Sequence, residues 1–161
     1  QGENARIVAK MNSLLDKEII AKLYEASRAG VKIELIVRGI CVLIPGIPGI
    51  SDNITVRSLV GRFLEHSRVF WFENGGREEF YIGSADWMPR NLDKRVEILF
   101  PVESDELKDE ICHILHMQLA DTKKSHLLQA DGTYVKVDQR GKEPGNSQMY
   151  FCEEAKNACS R

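Results

Sequence analysis

The chain has 161 residues, 43% of them hydrophobic and 29% charged, with a formal net charge of -2. That is the size and composition of one globular domain able to bury its own core. The near-neutral charge argues against a nucleic-acid binder, which carries a basic excess, and no apolar run reaches the roughly 18 residues that span a bilayer.

The chain opens on Gln1 without a charged-then-apolar leader, and a start without Met reads as a segment of a longer polypeptide. Cys41, Cys112, Cys152 and Cys159 lack paired metal-ligand spacing. Reduced thiols are therefore expected rather than a disulfide frame.

Arg6 to Lys10 reads as a short strand that ends in a turn at Asn12-Ser13. Asp16 is placed to cap a helix along which Ile19, Ile20, Leu23, Tyr24 and Ser27 recur at helical spacing, with Gly30 as its stop. Val31, Ile33, Leu35 and Val37 alternate with Lys32 and Glu34, the pattern of a half-buried strand. Strand, helix and strand in about 30 residues make a βαβ unit with parallel strands. Arg38 then lies at a strand's carboxyl end, where open α/β sheets bind ligands, and Gly39 permits close backbone approach.

Ile44-Pro45-Gly46-Ile47-Pro48-Gly49 is a stiff apolar loop. Ile54 to Ser58, Ser67 to Phe72, Glu79 to Ser84 and Arg95 to Phe100 supply further strands, with a hairpin at Asn74-Gly75-Gly76. Ser104 to Ala120 is an amphipathic helix striped by Leu107, Ile111, Leu115 and Leu119. The expected fold class is α/β, a mixed, largely parallel sheet flanked by helices. A catalytic domain is drawn at 1–130, and 131–161 are expected to hold a short hairpin strand at Tyr134–Val137 and a weakly ordered tail.

The chemistry concentrates in His66-Ser67-Arg68, in Glu73, and in Gly83-Ser84-Ala85-Asp86. Read as a strand, His66 and Arg68 project from one face. An imidazole beside a guanidinium suits a negatively charged, transferring group, which points to phosphoryl chemistry. Ser84 and Asp86 can return hydrogen-bonding groups to the same edge, or cap the turn into Trp87-Met88-Pro89. Glu73 has the opposite strand parity to His66 and reaches its face only if the strand ends near Phe72, and Arg68 can pair with Glu73 or Asp86 and simply hold the site together. Between Lys32 and Glu97 nine acids balance nine bases, so most of these charges read as a solvated surface. His113 and His116 lie three apart on a helix without a third ligand, and no metal site is assigned.

The spacing of these groups resembles half of the phospholipase D superfamily signature, His-x-Lys-x4-Asp followed by Gly-Ser-x-Asn. Arg68 stands at the Lys position, Glu73 at the Asp position and Asp86 at the Asn position. Longer blocks narrow the resemblance: residues 9–14, Ile36-Val37-Arg38-Gly39-Ile40-Cys41, residues 60–68, and Tyr81 through Asp93. In that order they resemble the C-terminal domain of bacterial polyphosphate kinase of the first family, which lies within the phospholipase D-like superfamily.

The resemblance implies reversible transfer of the terminal phosphate of ATP to inorganic polyphosphate through a phosphohistidine in an upstream domain. It assigns nucleotide contact to Arg38 and His66, with His66 catalytic as acid, base or electrostatic clamp, and a supporting place to Arg68, Glu73, Ser84 and Asp86. It implies ATP, ADP and polyphosphate as ligands, and Mg2+ held with ATP by residues outside this chain. The upstream domains of the same polypeptide and a homo-oligomer of the full-length enzyme are the expected partners, with no nucleic acid. A cytoplasmic location follows, with peripheral attachment at the inner membrane as an alternative. The segment alone would be an inactive half-site. Two competing readings are a phosphodiesterase half-site that dimerises through His66, and a non-catalytic module binding nucleotide or polyphosphate.

Overall fold

The computed structural model describes residues 5–141 and 143–160. β1 (Ala5–Met11), α1 (Lys17–Arg28) and β2 (Lys32–Val37) form the expected βαβ unit, with Ile7 opposite Ile33 and Met11 opposite Val37 in parallel register. Asp16 caps α1: its carboxylate accepts the Ile19 N–H at 2.9 Å, satisfying one donor that a helix start leaves free. Beyond Ala29, Gly30 turns the chain at φ 91°, a conformation that costs a residue with a Cβ far more.

β3 (Ile54–Leu59), β4 (Arg68–Asn74), β5 (Arg77–Gly83), β6 (Leu99–Pro101), β7 (Ser125–Leu128) and β8 (Tyr134–Lys136) complete one sheet. Its order is β6-β5-β4-β1-β2-β3-β7-β8. The β1–β2 and β2–β3 pairings are parallel, whereas the other five among the described residues are antiparallel. The sheet is mixed as expected, but antiparallel pairing dominates, which corrects the expectation of a largely parallel one. The cause is connection length. The Asn74-Gly75-Gly76 turn, with both glycines at positive φ, sends the chain straight back as a hairpin with no room for a crossover helix.

α1 covers one face of the sheet, where Ile20 and Leu23 pack with Ala9, Met11, Ile33, Leu35, Val37 and Phe70. α3 (Asp105–Leu119) packs Ile111 and Leu115 with Val8, Ile36, Leu59, Val69, Trp71 and Phe80, on the opposite face by strand alternation. Covered on both sides, Leu35, Ile36 and Val37 are all buried, and β2 loses the alternation with which it begins. Each such aliphatic side chain contributes about 1.5–3 kcal/mol of burial.

Two segments depart from the sequence reading. The strand expected over Arg95 to Phe100 is only Leu99–Pro101: α2 (Pro89–Lys94) ends just before Arg95, and residues 95–98 are irregular. In the tail, β8 makes the expected hairpin, but α4 (Ser147–Cys159) stands where weak order was expected. Asn146 accepts the Met149 N–H at 3.3 Å, and Asp121 Oδ2 accepts the Ser147 N–H at 2.8 Å and its hydroxyl at 2.9 Å. These caps start a helix whose apolar stripe is too weak to read beside Gly141, Pro144 and Gly145.

Candidate active site

β4 runs antiparallel to β1, and β5 antiparallel to β4. The carboxyl ends of β1, β2 and β5 therefore meet the amino end of β4 at one end of the sheet. Asn12, Arg38, His66, Arg68 and Asp86 come from those ends.

Asp86 is the hub, 6% exposed. Its Oδ1 accepts the Asn12 N–H at 2.7 Å and Arg68 Nε at 3.2 Å, while Oδ2 accepts Arg68 Nη2 at 3.2 Å. Arg68 Nη1 donates to the His66 carbonyl at 2.9 Å, so each nitrogen of this guanidinium is engaged. Asn12 extends the network to β2: its Oδ1 accepts Arg38 Nε at 3.1 Å. Among the described residues only Nε of the Arg38 side chain is hydrogen-bonded, which leaves its two terminal nitrogens for a ligand. His66 is exposed at the rim.

Lys10 lies beneath these groups, its side chain 3% exposed. Its Nζ donates to Ser67 Oγ at 2.8 Å and to the Ser67 carbonyl at 3.2 Å, and lies 3.4 Å from Glu65 Oε2. Burial pushes the Lys10 ammonium below its ordinary pKa, Glu65 pulls the other way, and the positive charges of Arg38 and Arg68 add to the lowering. Three cations thus converge beside His66 with Glu65 and Asp86 as counter-charges. Arg68 and Lys10 are taken up within the chain, so Arg38 is the cation that presents free donors to an anion.

The sequence reading placed some of these residues differently. His66 and Arg68 do not share a strand, because β4 begins at Arg68 and His66 precedes it in irregular chain. Glu73 is not at the site. β4 continues to Asn74, so Glu73 lies at the far end, opposite Arg6 and Glu78. Five residues of strand put it about 17 Å from Arg68. Ser84 is near Asp86 but turned to the sheet edge: its hydroxyl donates to Glu97 Oε2 and accepts the Ile98 N–H at 3.1 Å. With Asn91 also donating to Glu97, these bonds hold the Glu97 carboxyl below its ordinary pKa. Gly39 is needed for close approach within the chain itself, since a Cβ there would lie 2.8 Å from the Asn12 carbonyl. His113 and His116 face different neighbours, Glu154 and Trp71 respectively.

Lys10, Asn12 and Glu65 had no site assignment from sequence. A lysine inside the apolar run Ile7 to Met11 was the available signal. Asn12 and Glu65 carried none.

Residues 1–148 match the family model described as polyphosphate kinase C-terminal domain 2. The chain belongs to the polyphosphate kinase family. It is 58% identical over 147 residues to a polyphosphate kinase of Synechocystis, an alignment covering 91% of this chain and 20% of that protein. The crystal structure of polyphosphate kinase from Porphyromonas gingivalis superposes with a TM-score of 0.91 at 44% identity, over 98% of this chain and 24% of that one. The chain thus spans about a fifth to a quarter of the length of these relatives. Nuc from Salmonella typhimurium, a phospholipase D family member, shares the fold at a TM-score of 0.59 and 14% identity, over 78% of this chain and 83% of that one. The fold is therefore α/β and phospholipase D-like. Within this polyphosphate kinase domain, two positions that depart from the phospholipase D signature, Arg68 and Asp86, bind each other. The third, Glu73, lies at the far end of β4.

Proposed function

We propose that this chain is the C-terminal part of an enzyme that moves the terminal phosphate of ATP reversibly onto inorganic polyphosphate, and that it supplies half of the active site. The observation that carries this reading is that Asn12 ties Arg38, with its two free nitrogens, to the loop of an exposed His66.

In this account a histidine in the upstream part of the polypeptide attacks the γ-phosphorus of ATP. The N–P bond forms as the bond to the β–γ bridging oxygen breaks, and ADP leaves. A terminal oxygen of polyphosphate then attacks the same phosphorus and breaks the N–P bond, leaving a chain one phosphate longer. The work of this half-site is positioning and charge neutralisation. Arg38 offers its two free nitrogens to phosphate oxygens as a fork, and His66 contacts the phosphoryl group in transit. Arg68 and Asp86 hold the loop that carries His66, while Ser84 steadies the neighbouring edge through Glu97.

The residues present do not fit directly bound Mg2+. The converging groups are cations, both oxygens of Asp86 are occupied, and no cluster of three His, Cys, Asp or Glu suited to a metal occurs among the described residues. Mg2+ that accompanies ATP is assigned to ligands elsewhere in the polypeptide. We assign the full-length enzyme to the cytoplasm as a homo-oligomer, and expect this chain alone to be inactive. A phosphodiesterase half-site is less well supported, because the Arg68 guanidinium is fully used on Asp86 and His66.

The test is the KM for ATP of the full-length enzyme carrying Arg38→Ala or Arg38→Lys. Loss of the fork is expected to raise it about tenfold or more, with Lys restoring only part because it lacks two-pronged geometry. An unchanged KM in Arg38→Ala contradicts the assignment.

A further inference from the structure

We infer that Gln148, on α4, is a positioning residue for His66, acting through a buried polar strut that runs from α4 to the loop before β4. The inference rests on the proposed contact of His66 with phosphate.

From Val60 to Ser67 the chain has no regular structure. Such a segment keeps its shape only where its backbone groups are tied down. Gln148 ties it. Its Oε1 accepts the Phe63 N–H at 2.9 Å and its Nε2 donates to the Phe63 carbonyl at 2.9 Å, as one strand residue pairs with another. The same Nε2 donates to Glu65 Oε1 at 2.9 Å. The other oxygen of Glu65 accepts Gln118 Nε2 at 3.0 Å and faces Lys10 Nζ at 3.4 Å. Lys10 closes the strut on Ser67. Residues 63, 65 and 67 are thereby gripped from below, and His66 stands exposed between the last two.

The strut is dry. Gln148 is 6% exposed and Gln118 3%, so a lost bond leaves a polar group unpaired. The loop is also shaped around the amide: a Cβ on Gly61 would lie 2.2 Å from Gln148 Oε1. Anchoring of α4 itself does not require that amide, because Asp121 holds Ser147, and Gly145 is bonded to Thr122 and Lys123. All three of its hydrogen bonds go to the His66 loop.

The experiment is a double-mutant cycle in the full-length enzyme, reading ATP–polyphosphate phosphoryl exchange for wild type, Gln148→Met, His66→Ala and the double variant. Met keeps the length of the side chain and removes the amide. The expected result is a fall in kcat of about tenfold to a hundredfold in Gln148→Met, with the KM for ATP held within about threefold because Arg38 is untouched. On the His66→Ala background the same substitution is expected to cost less than about twofold. An equal loss on both backgrounds, or full activity of Gln148→Met beside an impaired His66→Ala, overturns the inference while sparing the reading of His66. Full activity of His66→Ala overturns both. Should Gln148→Met fail to fold, Glu65→Gln, which removes the charge facing Lys10 at constant size, goes through the same cycle with the same criteria.

Discussion

Asp86 grips Arg68 with both carboxylate oxygens, Oδ1 on Nε and Oδ2 on Nη2, each at 3.2 Å. The side chains are 8% and 13% exposed. Because Oδ1 also takes the Asn12 N–H, one carboxylate joins the start of β4 to the end of β1, and through Asn12 it sets Arg38 at the end of β2. Buried pairs of this kind contribute more to geometry than to net stability, yet removing one partner strands the other.

Asp86→Ala therefore leaves Arg68 and the Asn12 N–H without their acceptor. The expected loss of stability is about 3–5 kcal/mol, read by urea unfolding. Asp86→Asn, which keeps an acceptor oxygen, is expected to lose less. A change within about 0.5 kcal/mol for Asp86→Ala contradicts the hub.

Glu73→Ala is the matching control. The side chain sits at the far end of β4, so phosphoryl exchange by the full-length enzyme is expected to stay within about twofold of wild type, and stability within about 0.5 kcal/mol. A large loss of exchange would return Glu73 to the site.

Lys10 gives the site a pH signature. Its ammonium is held below the ordinary lysine value of 10.5 in the folded chain, chiefly by burial. Between the two values the unfolded state binds more protons than the folded one, so the Lys10 contribution makes stability rise with pH through that window. In Lys10→Met this contribution is absent. Urea unfolding across the alkaline range up to 10.5 is expected to show wild type gaining on the variant as pH rises. Parallel curves contradict it.

Gly39→Ala introduces a Cβ 2.8 Å from the Asn12 carbonyl, which is backbone and yields little. Overpacking of this order costs about 1–3 kcal/mol. Because Asn12 also holds Arg38, the variant is expected to raise the KM for ATP, measured in the full-length enzyme. Wild-type stability and KM together would remove Gly39 from the account.

Arg38 was legible because strand alternation from Val31 to Val37 fixes where β2 ends, and strand ends are where α/β sheets bind. Arg68 and Asp86 were legible as candidates, with Asp86 and Glu73 alike open as partners of Arg68, and the β4–β5 pairing is what decides for Asp86. Glu73 was misplaced by motif spacing: the pattern holds only if the strand stops near Phe72, and the hairpin register, with Asn74 opposite Arg77, keeps it going. The strut was invisible for a different reason. Gln148 and Glu65 are 83 residues apart, and Gln118 and Glu65 53 apart, and no local pattern pairs polar side chains across such separations. Lys10 alone announced itself, as a charge in an apolar strand.

The most direct measurement is phosphoryl exchange between ATP and polyphosphate by this chain alone, by the full-length polypeptide, and by the full-length polypeptide with His66→Ala. The account predicts exchange by the full-length enzyme only, cut by about a hundredfold or more but still measurable in His66→Ala. Exchange by the isolated chain would contradict the shared site, and undiminished exchange in the substituted enzyme would remove His66 from the chemistry.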